Sequence, residues 1–157
     1  MNLNLLPAGA GRAYWVLGDL YTILAGAADT GGAYALIHAL VPAGGGPPPH
    51  IHRREDEAFY VLEGQLTFHA DGQSFAASAG AWITLPQGSL HHFKNTGTTP
   101  AKMLILVNPS GLDQFFAEVG QPATDPTAAP PPVTPGDVER LLTAAPKYGL
   151  EIQLPPQ

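Results

Sequence analysis

Between Ala13 and Asn108 the chain is a series of short apolar runs, each closed by turn chemistry rich in glycine or proline. The runs are "AYWVLG", "YTILAG", "AYALIHALV", "AFYVLEGQLTFHA", "AWITLP", "HHFKN" and "KMLILV". Between them stand "TGG", "PAGGGPPP", "ADGQ", "PQGS" and "NTGTTP", where Gly supplies a positive φ and Pro fixes its own. This punctuation suits short strands rather than long helices, so the expected fold is all-β, a sandwich or barrel. The 157 residues, with 18 Gly and 17 Pro among them, suffice for one core and are short for two. With no internal repeat, one barrel is expected rather than a tandem pair.

After Ser110 the pattern changes. "GLDQFFAEVG" places Leu112, Phe115, Phe116 and Val119 at helical spacing and stops at Gly120. "QPATDPTAAPPPVTP" reads as a linker too rich in Pro and Ala to hold a strand. "TPGDVERLLTAAPKYG" offers Thr134 as N-cap, Pro135 at the first helical position, acids early and Lys147 late, and predicts a second short helix. The expected organisation is a β-barrel over residues 1–110 with a helical and extended tail, residues 111–157, packed on its face or rim.

The net charge is -6, and the seven Lys and Arg are scattered, so there is no basic stripe to follow phosphates and nucleic acid is an unexpected partner. No apolar run approaches the roughly 20 residues of a membrane span, and "MNLNLLPAGAGR" lacks the basic start and apolar stretch of a signal peptide. A cytoplasmic protein is the default expectation. The absence of Cys excludes disulfides, thiolate nucleophiles and sulfur-ligated metals, leaving His and carboxylate as the metal donors.

One stretch supplies such donors. In "PPPHIHRREDEAFYVLEG", His50 and His52 are two apart and share a face if extended. Glu57 follows across "RRED" and shares a strand face with Phe59 and Val61, where a carboxylate is costly unless it meets a cation. In "GAWITLPQGSLHHFKN", Gly80, Pro86 and Gly88 read as strand, turn, strand, and His91 opens the next strand with Asn95 on its face. Three imidazoles and a carboxylate suit one divalent transition metal, Fe, Mn, Ni, Co, Cu or Zn, and open coordination positions suggest catalysis.

These two motifs resemble those of the cupin superfamily. The first appears as His50, His52, Glu57 and Gly64, the second as Gly80, Pro86, Gly88, His91 and Asn95, and both match at every position. The resemblance implies a double-stranded β-helix barrel of jelly-roll type, with short C-terminal helices here and the metal inside. The segment from Gly44 through "AFYVLEG" and the "FF", "PPP" and "KYGLEI" tail is similar to single-domain cupins of the quercetin 2,3-dioxygenase-like kind. That implies a dioxygenase acting on a flavonol-like or other enolisable aromatic small molecule, with Glu57 as the catalytic carboxylate. The alternatives are a cupin isomerase or epimerase, and a cupin that binds a small molecule without turnover. A homodimer is the arrangement the resemblance implies.

The remaining polar and aromatic residues have plainer readings. His92 faces away from His91 on a strand, and His69 beside "HADG" reads as solvated. His38 runs with Leu36 and Leu40, as a buried hydrogen-bonded residue or one near the site. Arg53, Arg54, Glu55 and Asp56 read as a charged surface turn, and Asn95 as a residue that fixes a strand or loop. Phe59, Val61 and Phe93 are core, or pocket wall if the barrel has an open mouth, which Phe115 and Phe116 would cap or merely pack near. "AFYVLEG" is apolar on both faces, so its outer face is expected to be covered by terminal segments or by a second subunit.

Overall fold

The computed structural model describes residues 3–154; the first two residues of the N-terminal stretch and the last three of the tail lie outside it. The chain forms two antiparallel sheets. Strands β1 (Arg12–Val16), β2 (Asp19–Ala25) and β3 (Ala35–Val41) open it, with a single helical turn, α1 (Ala27–Thr30), between the last two. Then come β4 (His50–His52), β5 (Asp56–Glu63), β6 (Gln65–Ala70), β7 (Gln73–Ser78), β8 (Trp82–Leu85), β9 (Leu90–Lys94) and β10 (Ala101–Asn108). The remainder is α2 (Leu112–Val119), β11 (Gln121–Pro122), α3 (Pro135–Ala144), a 3-10 turn over Ala145–Tyr148, and β12 (Leu150–Ile152).

The larger sheet runs β11-β1-β2-β3-β10-β5-β8 and the smaller β12-β4-β9-β6-β7. This is an all-β jelly roll with few short helices. Alternation decides what faces inward: in β3, Ala35, Ile37, Ala39 and Val41 are fully buried, and in β10 Ala101, Met103, Ile105 and Val107 are. Phe59 of the larger sheet meets Phe68 and Phe93 of the smaller, at ring centroids 5.0 and 5.9 Å apart, so one core fills the space between the sheets.

The segment after residue 110 is woven into both sheets. Its β12 extends the smaller sheet beside β4, pairing Leu150 with His52 and Ile152 with His50. Its β11 extends the larger sheet beside β1, which corrects the expectation that the proline-rich linker holds no strand. Pro122 is tolerated because β11 is an edge, where a missing N–H costs no ladder bond. Helix α2 spans the expected residues and ends at Gly120. In α3, Thr134 and Asp137 form a reciprocal capping box, with Pro135 in the first turn, and Pro146 follows where the α-helix has ended.

Two sequence expectations change on the outer surface. His38 lies on the outer face of β3, opposite Thr22 and Leu104, because its parity is that of Leu36 and Leu40 while the core takes the odd-numbered residues. It is therefore away from the interior between the sheets. The outer face of β5 is not covered by terminal segments among the described residues: Tyr60 is 41% and Leu62 37% exposed, beside Trp82 at 59%.

Candidate metal centre

The four predicted donors converge. His50 and His52 come from β4 and His91 from β9, where His50 and His91 are directly paired across the ladder. Glu57 enters from β5 in the opposite sheet, so the cluster spans the gap between sheets. One donor atom from each of the four residues lies within 4.8 Å of all the others. Glu57 Oε2 stands 2.8 Å from His91 Nε2 and 3.2 Å from His52 Nε2. Glu57, His52 and His91 are buried, and His50 is partly so.

Each imidazole is aimed by its other nitrogen. His50 Nδ1 faces the Pro48 carbonyl at 2.9 Å, His91 Nδ1 the Ser89 carbonyl at 3.0 Å, and His52 Nδ1 the Glu55 carboxylate at 2.9 Å. All three partners are acceptors, so Nδ1 carries the hydrogen and each Nε2 keeps a lone pair. Three lone pairs and a carboxylate then face one point with no hydrogen between them. Such a set can hold a divalent cation and is electrostatically unfavourable without a proton or a cation.

The charge balance shows the same pressure. Burial raises Glu57, but His52, His91 and His50 outweigh it and hold the carboxyl down at about 2. Burial lowers His52, yet Glu57 and Glu55 overcome it and the net shift is upward. His50 falls to about 3 through burial and the neighbouring His91 and His52.

Glu55 is the residue that the sequence reading missed. It was placed in a charged surface turn, and Arg53, Arg54 and Asp56 are indeed exposed. Glu55 instead is 3% exposed and points inward onto His52. Its Oε1 would lie 2.9 Å from a side-chain carbon at position 111, so Gly111, at φ +154°, admits it against the start of α2. A carboxylate three residues after a candidate ligand in a tight turn was the available signal.

Above the cluster is a cavity of about 60 Å³. Phe93 lines it, together with Pro47 and Pro48 from the loop before β4. Its far wall is Val16, Leu17 and Tyr21, and its roof is Leu112, Phe115 and Phe116 of α2, with Leu141 of α3 and Leu150 of β12. Phe59 and Val61 lie beneath this surface as core; Phe59 buttresses His91 at a centroid distance of 6.4 Å. His38 contributes nothing to the lining. Asn95 is buried and gives its Nδ2 to the Val41 and Thr99 carbonyls while Oδ1 accepts from the Gly97 N–H, so it fixes the loops behind β9. His69 and His92 stack on each other, centroids 4.4 Å apart, on the outer face of the smaller sheet.

A jelly roll with three histidines and a glutamate gathered between its sheets defines a small β-barrel protein with a site suited to metal. Residues 37–107 match the cupin-domain family model. Over 117 residues the chain is 28% identical to the quercetin 2,3-dioxygenase of Bacillus subtilis, which covers 74% of this chain and 34% of that one. It is 30% identical over 99 residues to oxalate oxidase 1 of Hordeum vulgare, covering 58% of this chain and 49% of the relative. The chain thus spans between a third and a half of these curated relatives. Among solved structures, a predicted oxalate decarboxylase from Thermotoga maritima superposes with a TM-score of 0.63 at 21% identity, over 68% of this chain and 99% of its own, a likeness of fold.

Proposed function

We propose that this protein is a metal-dependent dioxygenase of an enolisable aromatic substrate, flavonol-like in its hydroxyl chemistry. The observation that carries the proposal is the group of three imidazoles and one carboxylate, of which His50, His52 and Glu57 line a mostly apolar cavity. Similarity to the Bacillus subtilis quercetin 2,3-dioxygenase over most of the chain supports it. The ligands would be His50, His52, Glu57 and His91. A divalent metal bound there would lower the pKa of a coordinated substrate hydroxyl and provide a place for oxygen to react.

The protein's own groups supply the rest. Glu57 is the carboxylate that lines the cavity, its Oε2 within hydrogen-bonding reach of His52 and His91, and it is the group we assign to take the substrate proton. Phe93, Phe115 and Phe116 keep water from the reacting face and offer flat surfaces to a ring. Among the described residues no Lys or Arg lines the cavity, which disfavours a dicarboxylate such as oxalate. A sugar isomerase would need several polar groups besides the metal ligands, and among the described residues lining the cavity Tyr21 alone supplies one. The cavity holds a few water-sized occupants at about 15 Å³ each, so a three-ring substrate requires α2 and α3 to swing outward.

A second copy of the chain is the partner we propose for the exposed strip of Tyr60, Leu62 and Trp82. Cross-strand pairing of Tyr60 with Trp82 makes it continuous, and Lys102 with Glu63 at its rim gives it charges of both signs, so two copies can meet face to face.

The test is elemental analysis of protein purified without a metal-affinity tag, followed by oxygen uptake with a panel of flavonols. About one equivalent of transition metal with uptake is the expected result. Metal without uptake moves the protein to a binding role. No metal after reconstitution, or a His50→Ala/His52→Ala variant that keeps a full equivalent, overturns the site.

A further inference from the structure

Among the described residues lining the cavity, Tyr21 is the single one outside the histidine and glutamate group with a hydrogen-bonding side chain. Its hydroxyl donates to Asp19 Oδ2 at 3.2 Å, two residues back on the same inward face of β2. Asp19 is 1% exposed, and its second oxygen, Oδ1, has no hydrogen-bond partner. The loop before β4 is built tightly around this carboxylate. The Gly46 N–H donates to it, and a side-chain carbon at Gly45 would stand 2.6 Å from Oδ1. From there the chain runs through Pro47 to His50.

A carboxylate in such a place destabilises the fold. Phe at 21 and an apolar residue at 19 would fill the same space, and Phe would stack equally well on Phe116, whose ring lies 4.1 Å from that of Tyr21 at 15°. Packing therefore explains the ring of Tyr21 and leaves its hydroxyl and its partner unexplained.

We propose that Tyr21 is the group by which this cavity selects a hydroxylated substrate, with Asp19 as its positioning residue; the proposal rests on the metal-centre reading above. With its proton committed to Asp19, the phenol oxygen keeps lone pairs with which to accept a hydrogen bond. Burial, Asp19 and Glu57 all keep the phenol protonated. Phe116 on one side and Asp19 on the other fix its direction. The ligand it fits is an aromatic or enolic molecule with two hydroxyls, one for the histidine and glutamate group and one for Tyr21. A site that hydrogen-bonds a hydroxyl discriminates against the analogue lacking it far better than an apolar wall does.

The experiment uses full-length protein loaded with Co(II) and titrated with 4-nitrocatechol, read by its visible band, with azide as a small ligand that needs only the metal. Tyr21→Phe is expected to weaken nitrocatechol about tenfold while azide binding and cobalt content stay within about twofold. Asp19→Asn, which keeps an acceptor for the phenol, is expected to fall between the two. 4-Nitrophenol, with one hydroxyl, is expected to bind Tyr21→Phe and the natural protein alike. Should Tyr21→Phe not fold, Asp19→Asn and the comparison of the two phenols on the natural protein read the same quantity. Equal nitrocatechol affinity in both variants and the natural protein, or no preference for the second hydroxyl, overturns the role of Tyr21 and leaves the metal centre standing. Failure of the natural protein to hold cobalt overturns both.

Discussion

At the scale of single residues, two buried carboxylates do opposite things. Glu55 faces an imidazole that needs an acceptor, so it gains a partner where Asp19 has an oxygen without one. Replacing Glu55 by Ala leaves His52 Nδ1 without its acceptor and frees the ring to turn. The expected outcome is a loss of metal affinity of about 10–100-fold, measured by competition with a chromogenic chelator. Asp19 responds to pH instead. Burial, only partly offset by the Tyr21 hydroxyl and the Gly46 N–H, raises it from 3.8 to about 7. An acid with a raised folded-state pKa takes up protons on folding, so its contribution is favourable below about pH 4 and is lost as pH rises through about 7. In metal-free protein, Asp19→Asn should therefore gain stability relative to the natural chain as pH rises across that window, by an amount on the order of a few kcal/mol at its upper end. Urea titrations of both proteins at several pH values check it; parallel curves would show that Asp19 titrates normally.

Among the elements, α3 has a strong local start. Asp137 Oδ2 accepts from the Thr134 N–H at 2.8 Å and hydroxyl at 2.7 Å, and the Thr134 hydroxyl accepts in turn from the Asp137 N–H. Thr134→Ala removes half of this box and should cost about 1 kcal/mol. Because Leu141 of α3 helps to roof the cavity, hydrogen exchange should quicken in α3 and the contacting α2 before it does in β3 or β10, as mass spectrometry can follow. The sequence showed these helices because caps, proline and periodicity all act locally. It showed the candidate donors His50 and His52 for a similar reason, since alternation along β4 puts them on one face, whereas His91 and Glu57 join them through the pairing of β9 with β4 and the packing of the two sheets. It did not show β7, whose "QSFAAS" is poor in branched and aromatic residues and is a strand because β6 offers it a partner. Nor did it show β12, three residues long and defined by its pairing with β4. Glu55 was hidden for the same reason: only the arrival of Gly111 and His52 around it turns a polar turn residue into a buried one.

For the whole molecule, the smaller sheet brings the histidines and the larger sheet brings the glutamate, so the site is sensitive to how the two are held together. The exposed strip on the larger sheet lies on the back of β5, the strand that bears Glu57. If a second copy covers it, Trp82→Glu should convert a dimer to a monomer in sedimentation analysis and leave the circular dichroism of the barrel unchanged. A natural protein that sediments as a monomer would remove that partner.

The pairing of β12 with β4 also orders events during synthesis. Until residues 150–152 emerge, β4 is an edge strand of three residues with only β9 to pin it, so two of the four donors sit on the least supported strand of the nascent barrel. Residues up to 152 must therefore leave the ribosome before β4 has both of its neighbours and the cluster becomes rigid.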